Sequence, residues 1–229
     1  MYLSVLIPFF NEDDIIEKNI LQIINYLKPK FKFEIIIIND SGKNNLIIEN
    51  LINKFDTISL INNHKNYGKG YSLRKGISLS SGELVLITDA DLATPIDELD
   101  KLHTAYKKDN HIVIGSRSCF DSEILTKQPI YRIIVGRIYN ILIKVILGLH
   151  FKDTQCGFKL FNGNVLREII TLTTSNRFGL DIELIYFAIK RKYKIYEVGV
   201  KWKDQKKTSV SLINDSLRMF IEILRLKFK

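Results

Sequence analysis

Two hydrophobic periodicities alternate along the first half of the chain. Short apolar runs bounded by polar or turn-forming residues predict buried strands, and stretches with apolar residues three and four apart predict amphipathic helices. The predicted strands are Leu3–Ile7, Phe33–Ile38, Ile58–Ile61, Leu84–Ile87 and His111–Ile114, and the predicted helices are Asp13–Leu27, Lys43–Lys54, Gly70–Leu79 and Pro95–Lys107. This alternation predicts an α/β fold with a mostly parallel central sheet flanked by helices.

The second half has a less regular pattern. It predicts helices at Gln128–Leu149, Asn164–Leu172, Leu180–Lys192 and from Ser211 onward, a turn at Asp153–Gly157 and a strand at Ile195–Val200. No internal repeat or low-complexity linker separates the halves. We therefore predict a single domain over residues 1–229 with two halves, 1–118 and 119–229, the second carrying amphipathic helices near 129–149 and 211–228.

Two carboxylates follow the fourth predicted strand. Asp89 and Asp91 come directly after Leu84–Ile87 in the segment TDADLATPIDEL, at the strand end where open α/β sheets hold their ligands. Carboxylates one residue apart that leave a strand into a turn can both reach one hard divalent cation, such as Mg²⁺ or Mn²⁺, which can in turn hold a diphosphate. Taken alone, the pair is equally typical of helix-capping or solvated turn residues.

The other predicted parallel strands also end in polar residues. Asn11 and Glu12 follow the first strand, Asp40 follows the second, and Lys69 lies between two glycines after the third. A glycine-flanked lysine before a helix is suited to bind phosphate, and a carboxylate can accept a hydrogen bond from a nucleotide base. Each residue alone could be a helix cap or a turn residue. Because the strands share one edge, their combination predicts a nucleotide site in the first half.

Composition limits the classes of partner. The chain has 34 Lys and Arg against 25 Asp and Glu, a formal net charge of +9, so we expect an anionic partner. The basic residues are dispersed, and no helix-turn-helix, RNP or zinc-finger pattern occurs, which argues against a nucleic-acid-binding module. Cys119 and Cys156 are the only cysteines. Their spacing suggests neither a disulfide framework nor a zinc site, and they favour a reducing, cytoplasmic compartment.

Any contact with a membrane is expected to be peripheral. The first residues predict a strand rather than a signal peptide, and no apolar, charge-free run of about 18 residues occurs. At about 100° per residue, Gln128–Leu149 places Arg132, Arg137, Asn140 and Lys144 on one arc of a helix and apolar residues on the other. Such a basic amphipathic helix is typical either of a surface helix packed on the core or of a helix that lies in a membrane interface.

A series of motifs spans nearly the whole chain, from Ile7 to Trp202. In order they read IPFFNE, IIINDSG, NYGKGYSLRKGISLSSGE, DADLATPIDEL, IGSR, DTQCGFKLF, RFGLDIEL and EVGVKW. This series resembles the family-2 inverting glycosyltransferases of GT-A fold, and within them the dolichyl-phosphate β-glucosyltransferases most, with polyprenyl-phosphate mannose synthases as close relatives. The resemblance implies a Rossmann-like nucleotide-binding fold that transfers a sugar from a nucleoside diphosphate to a lipid monophosphate with inversion at the anomeric carbon.

The resemblance also assigns roles in the donor site. Pro8, Asn11 and Glu12 would line the nucleotide-sugar pocket, Asp40 would hold the base, and Lys69 would approach the diphosphate. The family often has a second acidic residue before the one that holds the base, whereas this chain has an asparagine there.

Further roles concern the metal, the catalytic step and the acceptor. Asp89 and Asp91 would hold Mg²⁺ or Mn²⁺, with Arg117 near the phosphates. The resemblance makes Asp153 the candidate catalytic base, although a turn-initiating aspartate would also explain it. The candidate acceptor-binding residues are Arg132, Arg137, Gln155 and Asp181.

We expect transfer of glucose from UDP-glucose onto dolichyl or polyprenyl phosphate at the cytoplasmic face of a membrane. A membrane-anchored partner subunit could assist. A phosphate monoester is mostly dianionic at pH 7 and needs no base, whereas a hydroxyl acceptor does. The alternatives are a GDP-mannose-dependent polyprenyl-phosphate mannose synthase, a related transferase acting on a glycan hydroxyl, and a nucleotidyltransferase with a similar first half.

Overall fold

The computed structural model of the protein describes residues 2–106, 111–126, 128–204 and 212–228. The strands are β1 (Tyr2–Phe9), β2 (Lys32–Asn39), β3 (Ile58–Asn62), β4 (Leu84–Ile87), β5 (Ile112–Ser116), β6 (Glu123–Thr126), β7 (Lys159–Asn162), β8 (Ile195–Gly199) and β9 (Lys201–Lys203). The helices are α1 (Asp13–Leu27), α2 (Leu46–Lys54), α3 (Lys69–Leu79), α4 (Leu99–Ala105), α5 (Ile130–Leu147), α6 (Gly163–Ile169), α7 (Leu180–Lys190) and α8 (Leu212–Lys227).

Seven of the described strands form one sheet in the order β3-β2-β1-β4-β7-β5-β8. The strands are parallel except β7, which runs antiparallel to both of its neighbours, β4 and β5. The short strands β6 and β9 pair separately as a parallel ribbon. The prediction of an α/β fold with a mostly parallel sheet is therefore confirmed.

The sheet is covered by helices on both faces because successive side chains of its buried strands point to opposite sides. Val5 of β1 packs into a layer formed with α1, α2 and α4, whereas the adjacent Leu6 packs into the opposite layer with α3, α5, α6, α7 and α8. All the strands except β7 end at the same edge of the sheet. Their carboxyl ends therefore bring their connecting loops together.

Three short strands, β6, β7 and β9, are not predicted by the sequence pattern. All four residues of β6 are exposed and β9 reads KWK, so neither has the apolar period of a buried strand. In β7, reading KLFN, a lysine interrupts the apolar run, and the strand exists because β4 and β5 pair with it on both sides.

Helix boundaries differ from the prediction where capping sets them. The helix predicted from Lys43 begins at Leu46, since the side chain of Asn45 accepts a hydrogen bond from the Ile48 N–H at 3.1 Å. The helix predicted from Pro95 consists of a 3₁₀ turn, Ile96–Glu98, followed by α4. The predicted helix ends at Lys107 and Ser211 lie outside the described residues.

Candidate active site

A cleft of about 1130 Å³ lies beside the carboxyl ends of β1, β2, β4 and β5, with α5 as one wall. Twelve of the residues predicted for the site line it: Pro8, Glu12, Asp40, Lys69, Asp89, Asp91, Arg117, Arg132, Arg137, Asp153, Gln155 and Asp181. The thirteenth, Asn11, is not among the lining residues. It is exposed in the turn between β1 and α1, where it adopts a left-handed φ of 63°.

Lys69 and Asp89 form an ion pair in the cleft. Asp89 follows β4 and Lys69 is the first residue of α3, and the Lys69 Nζ lies 2.6 Å from the Asp89 Oδ1. Burial opposes ionisation of Asp89, but the charges of Lys69, Lys159 and Arg117 outweigh it and lower the pKa of this carboxyl. Asp89 is therefore ionised at neutral pH and pairs directly with Lys69.

Two further carboxyl groups lie close to Asp89. Burial and the charge of Asp89 raise the pKa of Asp91 to about 6, although the Ala93 N–H donates to it at 2.9 Å. Burial, together with the charges of Asp91 and Asp89, raises the pKa of Glu12 to about 7. Burial is the largest cause of both shifts and the neighbouring carboxylate charges add to it, so a cation bound here would lower both pKa values.

The carboxylates after β4 suit a metal ion that takes few of its ligands from the protein. In the part of the chain that the structure describes, no group of three or more His, Cys, Asp or Glu side chains is arranged to hold a metal ion. Mg²⁺ and Mn²⁺ sites commonly use one or two carboxylates, with water and substrate phosphates completing the shell. Asp89 and Asp91 fit that description.

Asp40 anchors the loop that carries Lys69. Its buried carboxylate accepts hydrogen bonds from the Asn63 side chain at 2.8 Å and from the backbone N–H groups of Tyr67 and Gly68 at 3.0 and 2.7 Å. A carboxylate has about four acceptor positions, so these three bonds leave room for one more donor. Asp40 thus fixes the start of α3 and still borders the cleft.

One fully buried cation, Lys159, has no role predicted from the sequence. It lies on β7 beside the ends of β4 and β5, donates to the Cys156 carbonyl at 2.6 Å and forms an ion pair with Asp181. The other Asp181 oxygen is 4.0 Å from the Lys69 Nζ. Alternating charges therefore run from Lys159 through Asp181 and Lys69 to Asp89. A lysine within the apolar segment GFKLF is the signal that could have revealed it.

Arg117 and Asp153 form a second ion pair, in which the carboxylate is buried and the guanidinium is partly exposed. The Arg117 Nε and Nη2 donate to the two Asp153 oxygens at 2.6 and 2.8 Å, and the backbone N–H groups of Arg117 and Gln155 donate at 3.0 and 3.1 Å. Burial opposes ionisation of Asp153, but Arg117 outweighs it and lowers the pKa of Asp153 to about 2. All four acceptor positions of this carboxylate are occupied, so it holds Arg117 in place.

The wall formed by α5 is cationic. Arg132, Arg137 and Lys144 line the cleft from this helix, and Arg132 lies 3.8 Å from Asp204. Asn140 donates from its side chain to the Lys152 carbonyl at 2.5 Å. Three lining cations had no predicted role: Lys144, Lys152 and Arg177. The cleft therefore combines an acidic end at β4 with a broad basic wall.

Comparison with curated proteins finds relatives over the full length of the chain. It is 32% identical to the dolichyl-phosphate beta-glucosyltransferase of Dictyostelium discoideum over 244 aligned residues, which cover 100% of this chain and 75% of that protein. The human dolichyl-phosphate beta-glucosyltransferase is 29% identical over 88% of this chain and 67% of its own length. The chain thus spans about two thirds to three quarters of these relatives.

Comparison with solved structures supports the fold. The crystal structure of glucosyl-3-phosphoglycerate synthase from Mycobacterium tuberculosis in complex with Mn²⁺, UDP and glucosyl-3-phosphoglycerate superposes with a TM-score of 0.71 at 16% identity, over 98% of this chain and 79% of that one. The GT-A fold implied by the sequence motifs is confirmed by this likeness. The sequence matches the glycosyl transferase family 2 domain over residues 4–170. With the relatives and the fold in agreement, the chain belongs to glycosyl transferase family 2 and is a glycosyltransferase.

Proposed function

We propose that the protein transfers glucose from UDP-glucose to dolichyl phosphate or another polyprenyl phosphate. Its relatives named above are dolichyl-phosphate beta-glucosyltransferases, and the structural neighbour holds UDP with Mn²⁺. The acidic end of the cleft suits a metal-bound nucleoside diphosphate, and the basic wall of α5 suits an acceptor phosphate. Donor and acceptor would therefore meet between Asp89 and Arg117.

One observation favours a phosphate acceptor over a hydroxyl acceptor. A hydroxyl needs a base to take its proton, whereas a phosphate dianion does not. Asp153, the candidate base, is paired with Arg117, and Asp181, the other carboxylate that could take the proton of a hydroxyl, is paired with the buried Lys159. The charge of Arg117 lowers the pKa of Asp153, so that carboxylate is a weak base, and the Asp181 carboxylate is held in its ion pair with Lys159. The proposal rests on this pairing.

The residues of the cleft would stabilise the leaving group. In a single displacement the acceptor oxygen attacks one face of the sugar while the nucleoside diphosphate leaves from the other and gains negative charge. Lys69 and Arg117 would lie where that charge develops. A divalent cation held by Asp89 and Asp91 would supply further positive charge to the diphosphate.

A polyprenyl phosphate acceptor would bring the protein to a membrane surface. We propose a peripheral association at the cytoplasmic face, where UDP-glucose is available, with or without a membrane-anchored partner subunit. Across the described ranges, no helix has both the length and the hydropathy required to span a bilayer.

A panel of donors and acceptors tests the proposal. Purified protein with Mn²⁺ or Mg²⁺ receives UDP-glucose or GDP-mannose, with and without a short-chain polyprenyl phosphate, and release of the nucleoside diphosphate is followed. We expect release from UDP-glucose that depends on the lipid phosphate. Asp91→Asn should reduce it on the order of 100-fold, because several kcal/mol of charge stabilisation are lost. Asp97→Asn, an exposed acid in the same loop, is the matched control.

The same panel separates the alternatives. Release from GDP-mannose instead of UDP-glucose would make the protein a mannose synthase. Release of the nucleoside diphosphate that does not depend on the lipid phosphate and increases with a glycan acceptor would contradict the proposal. In that case Asp153→Asn or Asp181→Asn should abolish turnover, because the base would be lost.

A further inference from the structure

Helix α5 exposes apolar side chains along its whole length. Ile130, Ile134, Ile138, Ile141 and Val145 are each between 52% and 76% exposed. At about 100° per residue, they fall within an arc of about 80°, and they extend over most of a helix about 27 Å long. We call these five residues the α5 apolar stripe. Soluble proteins rarely expose so continuous an aliphatic surface without a partner.

The polarity of α5 is the reverse of that expected for a surface helix of a soluble protein. Tyr139 and Ile143, on the side opposite the stripe, are its buried residues. Arg132, which projects between Tyr139 and Ile143, and Asn140, about 60° beyond Ile143, both border the cleft. The side of α5 opposite the stripe therefore faces the active site, and Ile141 is the one stripe residue that also borders the cleft.

Cations border the stripe on the side of the cleft. On the same helical projection, Arg137 and Lys144 lie within about 40° of the edge of the stripe, and both line the cleft. Arg137 is exposed, and α5 contains no acidic residue. An apolar face with cations along its edge is the pattern of a helix that lies in the interface of an anionic bilayer, with the basic groups among the lipid phosphates.

Exposed apolar residues also precede the helix. Phe120 is fully exposed, and Ile124 and Leu125 of β6 are exposed as well. This segment leads directly into the amino-terminal end of α5, where Ile130 and Tyr131 are both exposed. Exposed apolar side chains therefore occur both on α5 and in the segment that precedes it.

We infer that the α5 apolar stripe is the surface through which the protein lies on an anionic lipid bilayer, with Arg137 and Lys144 between the lipid headgroups and the cleft. This inference rests on the proposed function only for the identity of the acceptor. In this orientation α5 separates the hydrocarbon of the bilayer from the active site. The phosphate of a membrane lipid would reach Arg132 around the cationic edge of the helix while its chain stays in the bilayer.

Sedimentation with vesicles tests the surface without any substrate. The full chain is mixed with phosphatidylcholine vesicles, with and without phosphatidylserine and free of polyprenyl phosphate. We expect the protein to bind the anionic vesicles, and Ile134→Ser/Ile138→Ser to bind at least about tenfold more weakly. The matched control is Leu46→Ser/Leu79→Ser, which removes two leucines that are 74% and 63% exposed on α2 and α3 and should bind as the unsubstituted protein does.

Each outcome bears on the inference separately from the proposed function. Equal binding by Ile134→Ser/Ile138→Ser and the unsubstituted protein would overturn the inference. The inference would also be overturned if the protein did not bind vesicles but formed a dimer, and the double substitution dissociated that dimer. The stripe would then bind a second copy of the chain. The double variant should retain transfer to a short-chain acceptor in solution and lose transfer to a long-chain acceptor in vesicles. Vesicle binding without transfer to either acceptor would support the surface and contradict the proposed function.

Discussion

Asp153 illustrates how one residue combines structural and electrostatic roles. Its carboxylate accepts four hydrogen bonds, two of them from the guanidinium of Arg117. The group is buried, so solvent screens the interaction with Arg117 little. Because the pKa of Asp153 is lowered from 3.8 to about 2, this pair should stabilise the fold only while the carboxyl is ionised.

The lowered pKa predicts a specific dependence of stability on pH. A depressed carboxyl pKa contributes stability that is fully present above the unfolded value near 4 and is lost as the pH falls towards 2; here it is about 2 kcal/mol. Asp153→Asn lacks this contribution at every pH. The difference in unfolding free energy between the two proteins, measured by urea denaturation, should therefore shrink between pH 5 and pH 2.5. A difference that stays constant over that range would contradict the prediction, and Asp56→Asn, at an exposed aspartate, is the control.

Lys159 and Asp181 allow a second test at the scale of residues. Lys159→Met removes the cation that contacts the buried Asp181 carboxylate directly and leaves Lys69, 4.0 Å away, as its nearest described cation. We therefore expect a loss of up to about 3–5 kcal/mol in unfolding free energy. Lys159→Met/Asp181→Asn removes both charges and should recover a large part of that loss. Chemical denaturation of the single and double variants gives the coupling energy. Additive effects would show that the two side chains do not depend on each other.

At the scale of elements, the turn before β7 is pressed against the end of β4. A Cβ atom placed on Gly157 would overlap with the Asp89 carboxylate. Only glycine at position 157 therefore allows the turn that follows Asp153 to lie beside Asp89. Thus β7 positions Lys159 and also limits where Asp89 can lie.

Gly157→Ala should displace the Asp89 carboxylate. We expect binding of Mn²⁺ and UDP, measured by calorimetry, to weaken at least about tenfold, with a loss of about 1–3 kcal/mol in unfolding free energy from overpacking. Gly136→Ala is the matched control, because a Cβ there would meet no described atom within 4 Å outside its own helix. That variant should be as stable or slightly more stable, since alanine favours a helix. Unchanged binding in Gly157→Ala would contradict the prediction.

The helices, strands and cleft residues show which parts of the structure could be predicted from the sequence. The bounds of α1 and β4 match the prediction because local periodicity determines them. Seven of the twelve predicted residues that line the cleft, Pro8, Glu12, Asp40, Lys69, Asp89, Asp91 and Arg117, lie at or beyond the carboxyl ends of parallel strands, which meet at a common edge. The other five, Arg132, Arg137, Asp153, Gln155 and Asp181, are predicted from the family resemblance and the pattern of the basic helix. The lysine within GFKLF signals a buried cation, but the pairing of Lys159 with Asp181 and of Arg117 with Asp153 could not be predicted, because both depend on contacts between distant parts of the chain. The same holds for β7, which is a strand only because two others flank it.

For the whole molecule, the sheet joins the two halves of the chain. β7, from the second half, lies between β4 and β5, which both belong to the first. A fragment of residues 1–118 would leave β4 and β5 without the strand that connects them and would expose the apolar layer that α6, α7 and α8 cover.

We expect the fragment 1–118 not to fold cooperatively. Far-ultraviolet circular dichroism during urea denaturation should show a single sharp transition for the full chain and a broad one, or none, for the fragment. A cooperative transition in the fragment would show that its strands form a stable sheet without β7.

The position of β7 has a further consequence for the order of events during synthesis. β1 to β5 all leave the ribosome before β7, so the edges of β4 and β5 that pair with β7 stay open until Lys159–Asn162 emerges. At about 5–20 residues per second, the interval from Ser116 to Lys159 lasts roughly 2 to 9 s. Helix α5, with its outward isoleucines, emerges within this interval. The nascent chain therefore exposes its open edges and its apolar helix together, and we expect its yield in translation to depend on how quickly chaperones or lipid reach it.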